Sequence, residues 1–257
     1  MPVIVRDGVK LYFETAGEGT PLVILHGFMG TLEQNYHWFP LLPDYRLILL
    51  DARGHGKSGK PHDPSAYALS ERNLDVIAIL DHLGIKKAHY LGYSMGGWIG
   101  LGLASAFPER FYSVIAGGIG PDALSPEPSR YWREPMIEAL KGGMEVYCQR
   151  VEEAENRTMS EEERAHCLAQ DHEALIAMLS LEEEPEFRRA LPASDVELLI
   201  FVGELDMHHD SARELCDRLE RAHFLSIPGR GHGEAAEPQD LLVAGITHFL
   251  EANEKYK

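Results

Sequence analysis

The chain contains 257 residues, of which 44% are hydrophobic and 25% charged, and its formal net charge is −17. This length is sufficient for one large domain with a full core, or for a core domain that carries an insertion. The acidic charge disfavours nucleic acids and anionic membrane surfaces as partners, because both would repel the protein electrostatically.

Cysteine usage and the N-terminal sequence bear on the cellular compartment. Cys148, Cys167 and Cys216 are odd in number, widely spaced and outside any C-x-x-C pattern. They are therefore predicted to be unpaired thiols in a reducing compartment. Residues 1–7 lack the apolar region of a signal peptide, and no apolar run approaches transmembrane length. A cytoplasmic protein without a membrane segment is expected.

The first predicted elements are a hairpin, two buried strands and a helix. Short apolar runs flank Asp7-Gly8, a residue pair typical of hairpin turns. Continuous apolar runs at residues 22–25 and 45–50 suit strands that are buried on both faces. A helix is predicted from Leu69 to Leu83, because its apolar residues share one helical face, and Gly84 is its predicted C-cap.

A third apolar run leads into the segment Gly92-Tyr93-Ser94-Met95-Gly96-Gly97, which contains a G-x-S-x-G motif. A run of small residues from Trp98 to Phe107 follows and has helical character. A sharp strand-to-helix turn requires glycines beside the serine, and it exposes the hydroxyl at the N-terminus of the helix. This context predicts that Ser94 is a nucleophile and not an incidental serine in a glycine-rich turn.

The pattern changes after a further strand predicted at residues 113–119. Residues 121–192 show helical periodicity, and Ser160 with Glu163 predicts a capping box at the start of one helix. We interpret this stretch as a helical cap inserted over the sheet. Its acidic runs at 161–163 and 182–184 are interpreted as solvated helix faces.

The side chains of the cap supply candidates for binding a substrate. Aromatic and methionine residues could form the roof of a pocket or the core of the cap itself: Tyr131, Trp132, Met136, Met144, Tyr147 and Met178. Basic residues could face an acidic substrate: Arg130, Arg133, Lys141, Arg188 and Arg189.

The sheet resumes with strands predicted at 197–203 and 222–227. A helix is expected to start near Ser211, which forms a predicted capping box with Glu214, and a closing helix has Pro238 in its first turn. Strands that alternate with helices predict an α/β fold with a mostly parallel sheet and helices on both faces. Residues 1–120 and 193–257 would form the core domain.

A serine nucleophile needs a base, and histidine oriented by a carboxylate has the required chemistry. His232 follows the last predicted strand in a glycine-rich loop, and Asp206 follows the strand before it. Parallel strands end at one edge of a sheet, so Ser94, Asp206 and His232 are predicted to form a catalytic triad. Asp210 and Asp122 are alternative acids, although Asp210 is the better candidate for a helix N-cap.

Negative charge that develops on a substrate oxygen needs hydrogen-bond donors fixed in advance. The backbone N–H of Met95, at the N-terminus of a predicted helix, is one candidate for this oxyanion hole. The N–H of Phe28, in the loop after His26-Gly27, is the other. Phe28 and Met29 could also line the substrate pocket, together with Trp132 from the cap.

These segments together resemble the α/β-hydrolase-fold enzymes over nearly the whole chain. The resemblance rests on the following segments: residues 26–30 (HGFMG), 51–58 (DARGHGKS), 92–97 (GYSMGG), 203–206 (GELD) and 231–232 (GH). It implies the Ser94–His232–Asp206 triad, the Phe28 and Met95 oxyanion hole, and the helical cap. It also implies a structural role for residues 51–58, so Arg53 and His55 are assigned no catalytic role.

The expected function is cofactor-independent serine hydrolysis of small, mostly apolar carboxylic esters. Haloalkane dehalogenases and epoxide hydrolases with this fold use an aspartate nucleophile, whereas Ser94 occupies that position here. His208 and His209 are adjacent, a spacing that does not readily bring both side chains to one ion, so no metal site is predicted. The elbow and cap also resemble hydrolases of meta-cleavage products, so carbon–carbon bond or lactone hydrolysis remains an alternative. A non-catalytic ligand receptor is a minor alternative, and the oligomeric state is not predicted.

Overall fold

The computed structural model describes residues 2–120, 126–183 and 191–254, without the side chains of residues 126–131, 155 and 192. Its eight strands form one sheet in the order β1-β2-β4-β3-β5-β6-β7-β8. The strands are β1 (Val3–Arg6), β2 (Val9–Ala16), β3 (Thr20–Leu25), β4 (Tyr45–Leu50), β5 (Ala88–Tyr93), β6 (Phe111–Gly117), β7 (Glu197–Gly203) and β8 (Ala222–Ile227).

The first two strands form the predicted hairpin. Asp7 has a φ of 48° and Gly8 a φ of 79°, which are the two positive values that a type I′ turn requires. Strand β1 pairs antiparallel with β2, and β2 pairs antiparallel with β4. All remaining pairs are parallel, so the mostly parallel sheet expected from the sequence is confirmed.

The strand order reverses between β3 and β5. The chain moves outwards from β3 to β4 and then returns to place β5 on the other side of β3, with Leu25 in register with Gly92. In parallel sheets such a reversal leaves a crevice beyond the carboxyl ends of the two strands, where ligands bind. The loops that follow Leu25 and Tyr93 both begin at this crevice.

Helices cover both faces of the sheet, as predicted. They are α1 (Trp38–Leu41), α2 (Leu69–His82), α3 (Met95–Ala106), α4 (Pro126–Lys141), α5 (Met144–Glu155), α6 (Glu161–Leu168), α7 (His172–Ser180), α8 (His209–Asp217) and α9 (Asp240–Asn253). Apolar residues of α2, α3 and α8 share one buried cluster, and those of α1 and α9 share the cluster on the opposite face. In the described part of the chain, no helix has the length and hydropathy needed to cross a membrane.

Two of the predicted helix boundaries are wrong by two residues. Helix α8 begins at His209, and the hydroxyl of Ser211 donates to the carbonyl of His208, so Ser211 is no N-cap. Helix α9 begins at Asp240 with Gln239 as its N-cap, so Pro238 precedes the helix. In contrast, Gly84 does terminate α2.

The helices α4 to α7 occupy the described part of the predicted cap. Helix α6 begins at the predicted capping box, in which Glu163 N–H donates to Ser160 Oγ (3.1 Å) and Ser160 N–H donates to Glu163 Oε2 (2.7 Å). Leu140, Leu175 and neighbouring apolar residues form a separate buried cluster among these helices. Met178, on α7, instead packs into the cluster that α2 and α3 share.

The cysteine prediction is wrong for two of the three residues. Cys148 on α5 and Cys167 on α6 form a disulfide inside the cluster between these helices. Their pairing depends on the packing of α5 against α6, which the 19-residue separation does not reveal. Cys216 is a free thiol, and burial raises its pKa to about 12.

Candidate active site

Ser94 lies on a sharp turn between β5 and α3. Its backbone has a φ of 52° and a ψ of −111°, a combination that few residues with a side chain adopt. The turn closes tightly: a side chain at Gly92 would overlap the Gly96 backbone, and one at Gly96 would overlap the Leu25 carbonyl. The N–H of Ser94 donates to Gly117 O at 2.8 Å, which anchors the turn to strand β6.

His232 and Asp206 reach Ser94 from the loops after β8 and β7. His232 Nε2 lies 3.1 Å from Ser94 Oγ, and His232 Nδ1 lies 2.7 Å from Asp206 Oδ2. The Asp206 side chain is fully buried, whereas that of His232 is 43% exposed. With Nδ1–H donating to the carboxylate, Nε2 is free to accept the proton of the Ser94 hydroxyl.

Three further contacts fix this pair. Asp206 Oδ1 accepts a hydrogen bond from the N–H of His208 at 2.9 Å. The hydroxyl of Tyr93 donates to the carbonyl of His232, and the His208 ring stands edge-on to the His232 ring. Burial alone would raise the pKa of Asp206, but the hydrogen bonds from His232 and His208 lower it below its ordinary value. Asp206 therefore stays ionised beside the imidazole at neutral pH.

Of the two alternative acids, the structure describes Asp210, which pairs with His209 and not with His232. The Asp210 side chain is 96% exposed and lies 3.1 Å from His209 Nδ1. It belongs to the first turn of α8 and is not its N-cap, contrary to the prediction. Asp122 lies outside the described residues.

The loop after β3 passes directly over the Ser94 turn. A Cβ added at Gly27 would lie 3.5 Å from Ser94 Cβ, an ordinary van der Waals distance, so the loop packs closely against the Ser94 turn. Phe28 follows, and Met29 has a φ of 62°. The N–H of Phe28 and that of Met95, at the N-terminus of α3, thus belong to the two segments that flank Ser94.

Buried histidines hold this loop in place. His55 Nε2 accepts from Met29 N–H at 3.0 Å, and His26 Nε2 accepts from Ala52 N–H at 3.1 Å. Their Nδ1 atoms face the carbonyls of Arg53 and Gly27, so both rings are neutral with the proton on Nδ1. Burial lowers the pKa of each. The structural function of His26 was not predicted from the sequence.

Arg53 is also part of the framework. Its guanidinium makes two 2.6 Å bonds to the carboxylate of Asp75, and Arg6 Nε bonds the same carboxylate at 2.7 Å. Both Arg53 and Asp75 are buried. This geometry fits the structural role that the resemblance implied for Arg53.

A cavity of about 880 Å³ opens at Ser94 and His232. Phe28, Met95 and Trp132 lie on its wall, whereas Met29 is not among the lining residues. Met29 instead packs into the α4–α7 cluster, and its carbonyl bonds His166 Nε2 at 2.7 Å. The prediction that Met29 binds substrate therefore lacks the expected contact.

The remaining roof candidates divide between the cavity and the interior of the cap helices. Met136 and Met178 line the cavity. Met144 and Tyr147 pack near the disulfide within the α4–α7 cluster. The side chain of Tyr131 lies outside the described residues.

Charged residues also line the cavity. Arg133 is the one predicted basic candidate seen on its wall, and Arg72 from α2, which the sequence did not single out, lies there as well. Lys141 is exposed and pairs with Glu138 at 2.6 Å. The other three candidates, Arg130, Arg188 and Arg189, lie outside the described side chains.

The second acidic run is not simply solvated, contrary to the prediction. Glu183 accepts hydrogen bonds from the N–H of Leu69 on both carboxylate oxygens, at 2.9 and 3.1 Å. It thereby caps α2 from a distant segment of the chain, and it lines the cavity. The first run, residues 161–163, is exposed as predicted.

His208 and His209 point to different partners. His209 Nε2 contacts Ser226 Oγ at 2.9 Å, whereas His208 can offer a ligand atom within 4.8 Å of atoms from Asp206 and His232. The His232 nitrogen and an Asp206 oxygen are already joined by their own 2.7 Å hydrogen bond. A metal ion at this place would have to disrupt that bond.

Comparison with known proteins identifies the family. The family model described as the alpha/beta hydrolase fold matches residues 20–200. The chain belongs to the alpha/beta hydrolase fold family. The resemblance drawn from the sequence motifs is thereby confirmed, and the hydrolase has the eight-stranded sheet described above.

The curated relatives match parts of the hydrolase. One is the dihydrolipoyllysine-residue acetyltransferase component of the acetoin cleaving system of Pseudomonas putida, 43% identical over 119 residues, which are 42% of this chain and 30% of the relative. Another is 3-oxoadipate enol-lactonase 2 of Acinetobacter baylyi, 41% identical over 117 residues, which are 44% of this chain and 42% of the relative. The chain thus spans less than half the length of these two relatives.

Solved structures match the fold over its full length. A carboxylesterase of the thaumarchaeon Nitrososphaera gargenis superposes with a TM-score of 0.83 and covers 100% of both chains at 20% sequence identity. At this identity the similarity concerns the fold alone.

Proposed function

We propose that this hydrolase cleaves small carboxylic esters through an acyl-enzyme on Ser94. The observation that carries the proposal is the continuous hydrogen-bonded chain from Ser94 Oγ to His232 (3.1 Å) and on to Asp206 (2.7 Å). A serine hydroxyl is a weak nucleophile unless a base removes its proton, and this arrangement supplies the base and its orienting carboxylate.

The first half-reaction forms the acyl-enzyme. His232 Nε2 takes the proton of Ser94 as the oxygen attacks the carbonyl carbon of the ester, and Asp206 stabilises the imidazolium through its Nδ1–H. The developing oxyanion is held by the backbone N–H groups of Phe28 and Met95. His232 then returns the proton to the leaving alcohol, and the carbon–oxygen ester bond breaks.

The second half-reaction releases the acid. His232 accepts a proton from a water molecule, whose oxygen attacks the acyl carbon, and the returning proton frees Ser94. Each of these steps uses groups of the chain itself, and the reaction as proposed requires no cofactor. The partially exposed side chain of His232 gives that water access to the base.

The cavity supports a small-molecule substrate. Its volume of about 880 Å³ lies within the range of ligand pockets, and Phe28, Trp132 and Met178 give it apolar walls. We propose that residues 121–192 act as a cap that supplies part of this wall, over a core of residues 1–120 and 193–257. The acyl-chain length is expected to be limited by the space between α3 and the cap.

Turnover of a p-nitrophenyl ester series from acetate to dodecanoate tests the proposal. Wild type should hydrolyse the shorter esters, and Ser94→Ala should not. Ser65→Ala, which removes an exposed serine elsewhere, serves as the matched control. Activity of Ser94→Ala above about one thousandth of wild type would contradict the acyl-enzyme route, because intact triads contribute far more than that.

A second candidate is hydrolysis of a lactone or of a carbon–carbon bond in an acidic substrate. The observation that favours it is the presence of two arginines, Arg72 and Arg133, on the cavity wall. The similarity to an enol-lactonase supports the lactone version. Turnover of a panel of lactones and dienoic acids, with no turnover of simple esters, would favour this candidate over the first.

A further inference from the structure

Helix α2 directs a charged side chain into the same cavity as Ser94. Arg72 is buried, with only 10% of its side chain exposed, and it lines the cavity. Its Nε is buried and has no hydrogen-bond partner among the described residues. Burial removes water from a guanidinium, and this desolvation destabilises the fold unless protein hydrogen bonds replace those to water. The position of Arg72 therefore needs a physical explanation.

The nearest carboxylate compensates Arg72 only in part. Glu183 Oε1 lies 3.6 Å from the guanidinium, which is beyond hydrogen-bond distance. Both oxygens of Glu183 are bonded to the N–H of Leu69. Arg53, by contrast, makes two bonds of 2.6 Å to Asp75. Among these buried cations, Arg72 is the one whose charge is poorly matched.

A second guanidinium, that of Arg133, also lines the cavity. Arg133 donates to the backbone carbonyls of Leu179 and Leu181, which carry no net charge. Burial lowers the pKa of Arg72, a shift that Glu183 opposes, and burial lowers the pKa of Arg133, a shift that Glu182 and Glu183 oppose. Arg133 therefore has acidic neighbours of its own, and Arg72 is the cation whose Nε lacks a hydrogen bond among the described residues.

We propose that Arg72 forms an anion subsite that binds a free carboxylate of the substrate away from the scissile carbonyl. This inference rests on the proposed function and narrows its substrate class to esters and lactones that carry a second, ionised acid group. A planar guanidinium matches a carboxylate with two parallel hydrogen bonds, and burial strengthens them. The rest of the wall is largely apolar, so the spacer between the two groups would be a hydrocarbon chain.

Two pairs of esters, matched in shape, test the subsite. Monomethyl adipate is compared with methyl hexanoate, and 4-acetoxybutanoate with butyl acetate, so that the carboxylate sits on the acyl side or on the alcohol side. The measured quantity is the ratio of kcat/KM for the acid-bearing ester to that of its neutral partner. Hydrogen bonds to charged groups predict a ratio of about 10 to 100 for at least one pair in wild type.

Arginine variants assign the preference to Arg72. In Arg72→Gln the ratio should fall about tenfold or more, and Arg72→Lys should retain a larger part of it because the charge remains. Arg221→Gln is the matched control, since Arg221 is half exposed and precedes β8 at the opposite edge of the sheet. A ratio near one in wild type, or an unchanged ratio in Arg72→Gln, would overturn the subsite.

Binding to Ser94→Ala separates the subsite from the chemistry. Titration calorimetry on this variant should give monomethyl adipate or 4-acetoxybutanoate at least about tenfold tighter binding than its neutral partner. The measurement leaves Arg72 in place, so it decides the question even if Arg72→Gln fails to fold. Preferential binding without any turnover by wild type would refute the proposed ester hydrolysis and retain the subsite. Turnover by wild type without preferential binding to Ser94→Ala would refute the subsite and retain the proposed ester hydrolysis.

Discussion

The imidazole of His55 accepts a hydrogen bond from the backbone N–H of Met29 at 3.0 Å. This bond ties residues 51–58, a segment with no predicted catalytic role, to the loop that carries Phe28. Because Met29 has a φ of 62°, the loop adopts a conformation that needs support from its surroundings. His55 therefore supports the loop that carries the proposed oxyanion donor, the N–H of Phe28.

Replacement of His55 should impair catalysis through that loop. We expect His55→Ala to lower kcat on p-nitrophenyl esters by about tenfold or more, because one misplaced oxyanion donor costs about 2.7–4 kcal/mol when lost entirely. KM should change less, since the cavity walls persist. His62→Ala, at a half-exposed histidine, is the control. Equal loss of activity in both variants would argue against a positioning role.

The buried histidines also predict a pH dependence of stability. The pKa values of His26 and His55 are lowered by burial from an ordinary value near 6.5. The stability that the two neutral rings contribute is fully present above pH 6.5. Below it the unfolded chain binds protons that the folded protein does not, so stability falls by up to about 1.4 kcal/mol per pH unit for each ring.

Urea unfolding between pH 5 and 8 checks this dependence. The free energy of unfolding should decline as the pH drops below 6.5, and the decline should be shallower in His55→Ala. Asp206 does not interfere, because its lowered pKa affects stability only in a more acidic range. A flat profile from pH 8 to 5 would contradict the assignment of neutral buried rings.

Asp75 is the shared partner of Arg6 and Arg53. Asp75→Asn should destabilise the protein by about 3–5 kcal/mol, because it leaves buried Arg53 without its counter-charge. Asp7→Asn removes a 75% exposed partner of Arg6 and should cost about 1 kcal/mol or less. Chemical denaturation of both variants measures the difference, and similar costs would be inconsistent with a buried ion pair.

Asp206 can be tested against the neighbouring acid. Asp206→Asn should reduce kcat by about 10³- to 10⁴-fold, since an amide cannot hold the imidazole in the correct tautomer or stabilise its charge. Asp210→Asn should retain activity near that of wild type, because Asp210 is 96% exposed and contacts His209. Comparable losses in the two variants would refute the assignment of the acid.

The disulfide between Cys148 and Cys167 closes a loop of about 19 residues, for which chain-entropy arguments predict about 3 kcal/mol of stabilisation. A reductant should therefore lower the Tm of wild type. The double variant Cys148→Ala/Cys167→Ala should begin with a lower Tm that the reductant does not change. Cys216→Ala should respond to the reductant as wild type does.

The proposed nucleophile, base and acid could be placed from the sequence because each lies in a local pattern at the end of a strand. Ser94 lies in a glycine-rich turn, and Asp206 and His232 follow the last two strands. The carboxyl ends of parallel strands lie on the same side of the sheet, and this topology brings the three residues together. The local sequence pattern and the topology of the fold agree at these positions, so the positions could be predicted from the sequence.

Other features depend on contacts that no local pattern records. Glu183 caps Leu69 across 114 residues of chain, and the disulfide depends on how two helices pack. Arg72 lies on a helix whose apolar face was recognised, but its direction towards the cavity required the neighbouring helices to be in place. The start of α8 was misplaced because Ser211 and Glu214 have the spacing of a capping box inside an existing helix.

The backbone of Ser94 has a further consequence. Holding a residue with a side chain at a φ of 52° and a ψ of −111° costs about 1–3 kcal/mol, and glycine would adopt these angles with less strain. The variant Ser94→Gly is therefore expected to have a higher Tm than wild type and no hydrolytic activity. Thermal stability and hydrolytic activity therefore place opposite demands on the residue at position 94.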